Sequence, residues 1–214
     1  MEKEAPQSGY RKIECSLILV DLSGFTQLLY HASDKEEIMR TVVLAMRRMF
    51  QDAMDSASGS EDVRIINTTG DGFIAIAEGS TPSRTAVNYV REVQAHFKQY
   101  VKAIIHSVPF RQRADLRIAL HHGHVYEIDI TRSGAEPYPV FIGDDINLLA
   151  RVINGQVARR YGVAITRGFY RRLMMIKGDP PIADEVILDR NRYPEQIEIY
   201  RLPEVIPSME RKGR

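Results

Sequence analysis

The chain has 214 residues and carries 29 Lys plus Arg against 28 Asp plus Glu, a net charge of +1. That length suits a single domain whose core buries about seventy per cent of the unfolded surface, and the balanced charge supplies no global field for nucleic acid or a membrane, so any polyanion is held locally. One cysteine, Cys15, excludes an intramolecular disulfide; no apolar run approaches the roughly 20 residues that span a bilayer, and residues 1–12 are polar without a signal-peptide core, which predicts a cytoplasmic protein.

Residues 1–12 read as a short loose tail. Residues 13–21 are rich in Ile, Leu and Val and end at an acid, the pattern of a buried central strand that delivers Asp21 to a sheet edge. Cys15 lies in that strand and acts as a small hydrophobe. A helix is predicted from Ser33 or Asp34 to about residue 57, with Ile38, Val42, Met46, Met49, Phe50 and Met54 at a helical period and assigned to the core. Residues 63–69 and 73–77 are β-prone runs joined through Gly70-Asp71-Gly72, and Asp-Gly at such a junction signals a hairpin with Asp71 at its tip. Thr81-Pro82-Ser83 opens a second helix to about residue 106, with Val87, Val90, Val93, Phe97, Val101 and Ile105 on one stripe.

Residues 116–120 and 124–130 read as two strands flanking a His-His-Gly turn, followed by a loop over 131–139 and a strand at 140–142. A helix is predicted over 144–160, on which Asn147 and Arg151 stand four apart and so share a face. Residues 163–166 read as a strand, 168–176 as a helix, 177–194 as irregular, 196–202 as a closing strand and 203–214 as a charged tail. This order predicts an α+β domain over 13–202 with ferredoxin-like, split βαβ logic, an antiparallel-rich sheet flanked by helices. No further domain that senses a ligand, light or a partner is expected in this length.

Four segments hold groups with chemistry in them: Val20-Asp21-Leu22-Ser23-Gly24-Phe25-Thr26, Asn67-Thr68-Thr69-Gly70-Asp71-Gly72-Phe73, Leu116-Arg117-Ile118-Ala119-Leu120-His121-His122-Gly123 and Gly143-Asp144-Asp145-Ile146-Asn147-Leu148-Leu149-Ala150-Arg151. Asp21 alone reads as a helix N-cap and Asp71 alone as a turn former. Together, at these separations, the four segments resemble the catalytic domain of class III nucleotidyl cyclases, and the resemblance covers nearly the whole of residues 13–202. It implies a reaction in which the ribose 3′-hydroxyl of a nucleoside triphosphate attacks the α-phosphorus and pyrophosphate leaves. Asp21 and Asp71, with the backbone carbonyl of Leu22, are then expected to hold two divalent cations, Mn2+ or Mg2+. Ser23, Gly24, Phe25 and Thr26 are expected at a helix entrance with backbone N–H groups for the β- and γ-phosphates. Asn147 is expected to orient the ribose and Arg151 to fork onto α-phosphate oxygens. The family shares each site between two subunits, so a homodimer with two equivalent interfacial sites is implied. His121, His122 and His124 are read as structural, and the cation that binds phosphate near the C-terminal end is left open among Lys177, Arg190 and Arg192.

Members that recognise adenine carry a lysine four residues before the second metal aspartate and an acid or threonine three before the glycine of the Asn/Arg helix; this chain has Asn67 and Val140 there. Valine accepts no hydrogen bond, which removes a base contact worth a few kcal/mol of discrimination. Arg64-Ile65-Ile66-Asn67-Thr68-Thr69-Gly70-Asp71 resembles instead the compact bacterial pyrimidine cyclases of antiphage defence, which make cyclic UMP or cyclic CMP, with Arg64 and Thr68 in their motif. Arg64 is a donor able to read a uracil carbonyl. Strict alternation puts Arg64 and Thr68 on one strand face and Asn67 on the other, so either a bulge occurs near Gly70 or only one face meets the base. The resemblance implies a uridylate cyclase, with a cytidylate or purine cyclase and a non-catalytic nucleotide-binding dimer as alternatives, and a separate effector protein for the product.

Overall fold

In a computed structural model, residues 9–24, 30, 36–107, 115–130, 138–175, 186–188 and 198–201 are described. The elements, in chain order, are β1 (Tyr10–Ser23), α1 (Glu36–Ser58), β2 (Val63–Thr68), β3 (Gly72–Ala77), α2 (Pro82–Ser107), β4 (Asp115–Ile130), β5 (Tyr138–Ile142), α3 (Asp144–Ile153), α4 (Gln156–Tyr161), β6 (Val163–Thr166), α5 (Arg167–Met174), β7 (Val186–Leu188) and β8 (Glu198–Arg201). Seven strands line up in the order β2-β3-β1-β4-β6-β8-β7, and β5 is added onto β4. Only β6 runs parallel to its neighbour β4 among the described strand pairs; the others are antiparallel. This is the α+β, antiparallel-rich arrangement flanked by helices that the sequence predicts.

β1 sits at the middle because both of its faces are apolar. Ile18 and Val20 join Phe73, Ala75, Ile118 and Leu120 on one side, under Ala53 of α1, Val87 and Val90 of α2 and Phe169 of α5. Leu17 and Leu19 join Ile74, Ile76 and Ala119 on the other, against Leu149, Val152 and Ile153 of α3 and Val157 of α4. A strand covered on both faces needs a continuous hydrophobic run, which Cys-Ser-Leu-Ile-Leu-Val supplies. Burial pushes the Cys15 thiol up to about 12, so it is inert. A smaller cluster of Leu22, Val42, Met46, Met49 and Phe97 packs α1 on α2. Met54, expected in that stripe, is exposed.

The structure departs from the sequence reading at several points. β4 is one strand from Asp115 to Ile130 with no His-His-Gly turn, because β1 pairs with its entire length, His122 opposite Ser16 and Gly123 opposite Cys15. The helix predicted over 144–160 is two helices, broken where Asn154 ends α3 and Gly155 takes an extended backbone conformation. β1 continues through Ser23, so Ser23 belongs to a strand and its hydroxyl donates to the Asp115 carbonyl at 3.0 Å. The stretch read as irregular contains β7. Ser33, Asp34, Phe25 and Thr26 lie outside the described residues, as do Lys177, Arg190, Arg192 and the tails beyond Gly9 and Arg201.

Candidate active site

Asp21 stands near the end of β1, opposite Gly72 of β3 on one side and Arg117 of β4 on the other. The β2–β3 turn is pressed against it. Gly70 adopts φ 81, which frees the chain to reverse direction, and the Thr69 N–H donates to the Gly72 carbonyl at 2.9 Å. A Cβ on Gly72 would lie 2.1 Å from the Val20 carbonyl oxygen, so only glycine lets the turn approach β1 this closely. The Leu22 N–H then donates to the Asp71 carbonyl at 3.2 Å, tying the turn to the residue after Asp21. The Leu22 side chain itself is buried in the core.

Two carboxylates are thereby brought within electrostatic reach of each other. Burial, and then the charge of Asp21, push the Asp71 carboxyl above the usual carboxylate range. Asp21 is paired with Arg117, whose Nε donates to Asp21 Oδ2 at 3.0 Å and whose Nη2 contacts the same oxygen. The donor set fits a hard divalent cation: two oxygen ligands, one of them unfavourable as an anion until positive charge arrives, and a guanidinium already drawn to the other. Arg117 is the residue the sequence reading passed over. It belongs to the quoted Leu116–Gly123 segment, but its value depends on the β1–β4 register that sets it beside Asp21.

Asn147 and Arg151 lie on the exposed side of α3, and neither makes a side-chain hydrogen bond or ion pair with a described residue. No such bond joins them to Asp21 or Asp71 within the chain. The first turn of α3 is fixed differently. Asp145 sends both carboxylate oxygens to β4, accepting from His121 Nε2 at 3.0 Å and from the His124 backbone N–H at 2.7 Å. His122 is also spoken for, with Nδ1 3.3 Å from Ser16 Oγ and Nε2 3.1 Å from Glu14 Oε1.

The residues proposed for the base are rearranged by a bulge in β2. Arg64 pairs with Ile76 and Ile65 with Ala75, but Asn67 pairs with Ile74, leaving Ile66 as the extra residue. The bulge therefore lies at Ile66 rather than near Gly70. Because Ile74 and Ile76 share a face, Asn67 comes onto the same side as Arg64, while Thr68, opposite Phe73, goes to the other, the reverse of strict alternation. Two of the three guanidinium nitrogens of Arg64 are engaged in hydrogen bonds. Nε bonds Glu78 Oε2 and Nη1 bonds Glu127 Oε1, each at 2.9 Å. Nη2 is buried 2.9 Å from Glu78 without hydrogen-bond geometry, and the guanidinium lies 5.4 Å from the centre of the Phe141 ring. Val140, the neighbour of Phe141, faces the other side of β5. Arg64, Asn67 and Phe141 thus share a face, and Thr68 and Val140 do not join them.

A sequence model of the adenylate and guanylate cyclase catalytic domain matches residues 9–188. The chain belongs to that family. Solved structures share the fold. A bacterial light-regulated adenylyl cyclase superposes with a TM-score of 0.70 at 18% identity, over 92% of this cyclase and 53% of the other chain. The guanylyl cyclase Cya2 gives 0.69 at 15% identity, over 93% and 98%. A non-canonical dimeric guanylyl cyclase domain of the RhoGC fusion protein from the aquatic fungus Blastocladiella emersonii gives 0.62 at 16%, over 89% and 94%. The cyclase spans about half the length of the light-regulated enzyme. No curated protein matches it in sequence. At these identities the superpositions carry the fold, and the family match makes the chain a nucleotidyl cyclase catalytic domain of a generally divalent-metal-dependent class. Among the described residues, no helix is long and apolar enough to cross a membrane.

Proposed function

We propose that this cyclase converts UTP to 3′,5′-cyclic UMP and pyrophosphate, with Mn2+ or Mg2+ held by Asp21, Asp71 and the Leu22 carbonyl. The observation that carries the choice of base is Asn67: it shares a face with Arg64 and Phe141 and stands where adenine-reading members carry a lysine, while both metal acids are retained. A decayed, non-catalytic domain has no reason to keep both. The purine alternative is favoured by one observation, that the superposing structures are adenylyl and guanylyl cyclases.

Divalent cations, when bound, supply positive charge to the phosphate oxygens and the leaving pyrophosphate. Asp21 and Asp71 provide the ligands, and each gains from the arrival of charge because they otherwise repel. Arg117, which donates to Asp21 in the metal-free chain, would have its donors free for phosphate oxygens once a cation took that carboxylate. Asn147 bonds the ribose without adding charge, and Arg151 stabilises the charge that builds on the α-phosphate as the 3′-oxygen bond forms and the bond to pyrophosphate breaks. Their exposure on α3 suits a role in trans, against the Asp21 and Asp71 of a second copy, so that a homodimer holds two sites.

Incubation with Mn2+ and each of the four ribonucleoside triphosphates, with products resolved by chromatography, tests the reading. UTP is expected to be used at least about tenfold better than ATP or GTP; preference for a purine would overturn the pyrimidine assignment and keep the cyclase. By analogy with the pyrimidine cyclases of antiphage defence, the product is a messenger for a separate effector protein, made in response to phage infection. Infected cells should then accumulate cyclic UMP, and cells carrying Asp21→Ala should not.

A further inference from the structure

We infer that Asp145 and His121 are positioning residues for the cyclisation: they lock the rotation and axial position of α3, and through it Asn147 and Arg151. The inference rests on the reading of those two residues as groups that act on the substrate.

The helix has little else to fix its register. Its N-cap residue, Gly143, offers no side chain to the first turn. Its packing on the sheet comes from Leu149, Val152 and Ile153, an apolar stripe that turns the helix toward the sheet but, being non-directional, sets its fine rotation and axial position less strictly than hydrogen bonds do. Asp145 supplies direction. At 100° per residue it lies about 40° from Leu149 and about 20° from Val152, on the sheet-facing side, while Asn147 and Arg151 project from the exposed side. Neither of those two has a described side-chain partner to hold it, so their aim is the aim of the helix.

The anchor is built from several elements. Asp145 Oδ1 accepts from His121 Nε2 at 3.0 Å and Oδ2 from the His124 N–H at 2.7 Å, two charge-assisted bonds to one strand. With Nε2 donating, His121 Nδ1 accepts from the Thr166 hydroxyl, 2.8 Å away. Thr166 Oγ1 in turn accepts from the Phe169 N–H and caps α5. The chain runs from α5 through β6 and β4 to α3, and His121 and Thr166 are buried within it. Gly123 is cut to fit the carboxylate. A Cβ there would lie 2.2 Å from Asp145 Oδ2 and 2.9 Å from His121 Nε2. The glycine in the middle of β4 is thus explained by the approach of Asp145, a use of glycine in strands that no turn requires.

The experiment compares Asp145→Ala, Asp145→Asn, His121→Gln, Gly123→Ala and Arg151→Ala in the full chain. It records kcat and KM with Mn2+ and the best triphosphate, melting temperature, and amide hydrogen exchange of α3 by mass spectrometry. Asp145→Ala and His121→Gln are expected to lower kcat by about 10- to 100-fold with KM changed less than about threefold, and to speed exchange in α3 beyond the rest of the molecule. Asp145→Asn should recover most of kcat, since the amide oxygen still accepts from His124 and its NH2 can donate to the other imidazole tautomer. Gly123→Ala, which displaces the carboxylate while leaving it in the sequence, should reproduce Asp145→Ala. Wild-type α3 exchange and kcat in Asp145→Ala would overturn the inference, as would an Asp145→Asn variant no better than the alanine. Wild-type turnover in Arg151→Ala would instead overturn the assignment of the helix to the substrate, whatever the exchange data show.

Discussion

The surroundings of Asp71 disfavour its anion, a cost that the proposed cation would relieve. Burial and the neighbouring Asp21 both disfavour its anion, so without metal the protein should tolerate its neutralisation well. Asp71→Asn is expected to leave the melting temperature of the metal-free protein unchanged or raised, by differential scanning calorimetry, while turnover falls at least about a hundredfold; a destabilised variant that still cyclises would remove Asp71 from the metal site. Arg117 is the counterpart. Its removal strips Asp21 of its only described cationic partner, so Arg117→Ala should tighten Mn2+ binding measured by isothermal titration and still lower turnover, because no guanidinium remains for the triphosphate. Weaker metal binding would show that the arginine organises the carboxylates instead of competing for them.

At the scale of elements, two contacts decide the shape of the candidate base region. Gly72 allows β3 to pass against the end of β1, and a methyl group there meets backbone, which cannot move aside as a side chain can. Gly72→Ala should cost more than about 2 kcal/mol in urea unfolding. The other contact is the Arg64 cluster, which joins β2 to Glu78, to Glu127 of β4 and to Phe141 of β5. Burial alone would raise the Glu127 carboxyl, but hydrogen bonds from Arg64 and Arg11 outweigh it and hold the group below its ordinary value of 4.5. A carboxyl depressed by folding stabilises the native state above that ordinary value and loses the contribution as pH falls through the lower folded value. The melting-temperature gap between wild type and Arg64→Ala should therefore be widest above about pH 4.5 and close on acidification. A gap that widens in acid would mean that another group carries the effect.

For the whole molecule, the consequence of placing Asn147 and Arg151 on an exposed helix face is a test of assembly. Mixing Asp71→Ala chains with Arg151→Ala chains should restore activity, since each mixed dimer gains one site with all four groups and up to about half of the mixed population is heterodimeric. No recovery in mixtures shown to exchange subunits would place all four residues in one chain. Such complementation also separates a shared site from a merely dimeric fold.

The sequence by itself determined the fold class, the order of elements from β1 to α2, the hairpin that carries Asp71, and the identity of the groups on offer, because periodicity, Asp-Gly turns and motif spacing are local properties. It reached as far as two acids, an amide and a guanidinium in the order the family resemblance implies. Tertiary structure alone decided what stands next to what. Arg117 gained meaning only when β4 paired with β1 and set it against Asp21. A single extra residue at Ile66 exchanged the faces of Asn67 and Thr68, which no alternation rule foresees. Gly123 looked like a turn because a glycine after two histidines commonly is one, and became a strand residue because β1 pairs with β4 throughout and a carboxylate 22 residues later in the sequence needs the space of its missing side chain. Each of these is a contact between segments far apart in the chain, and its energy is not written in either segment alone.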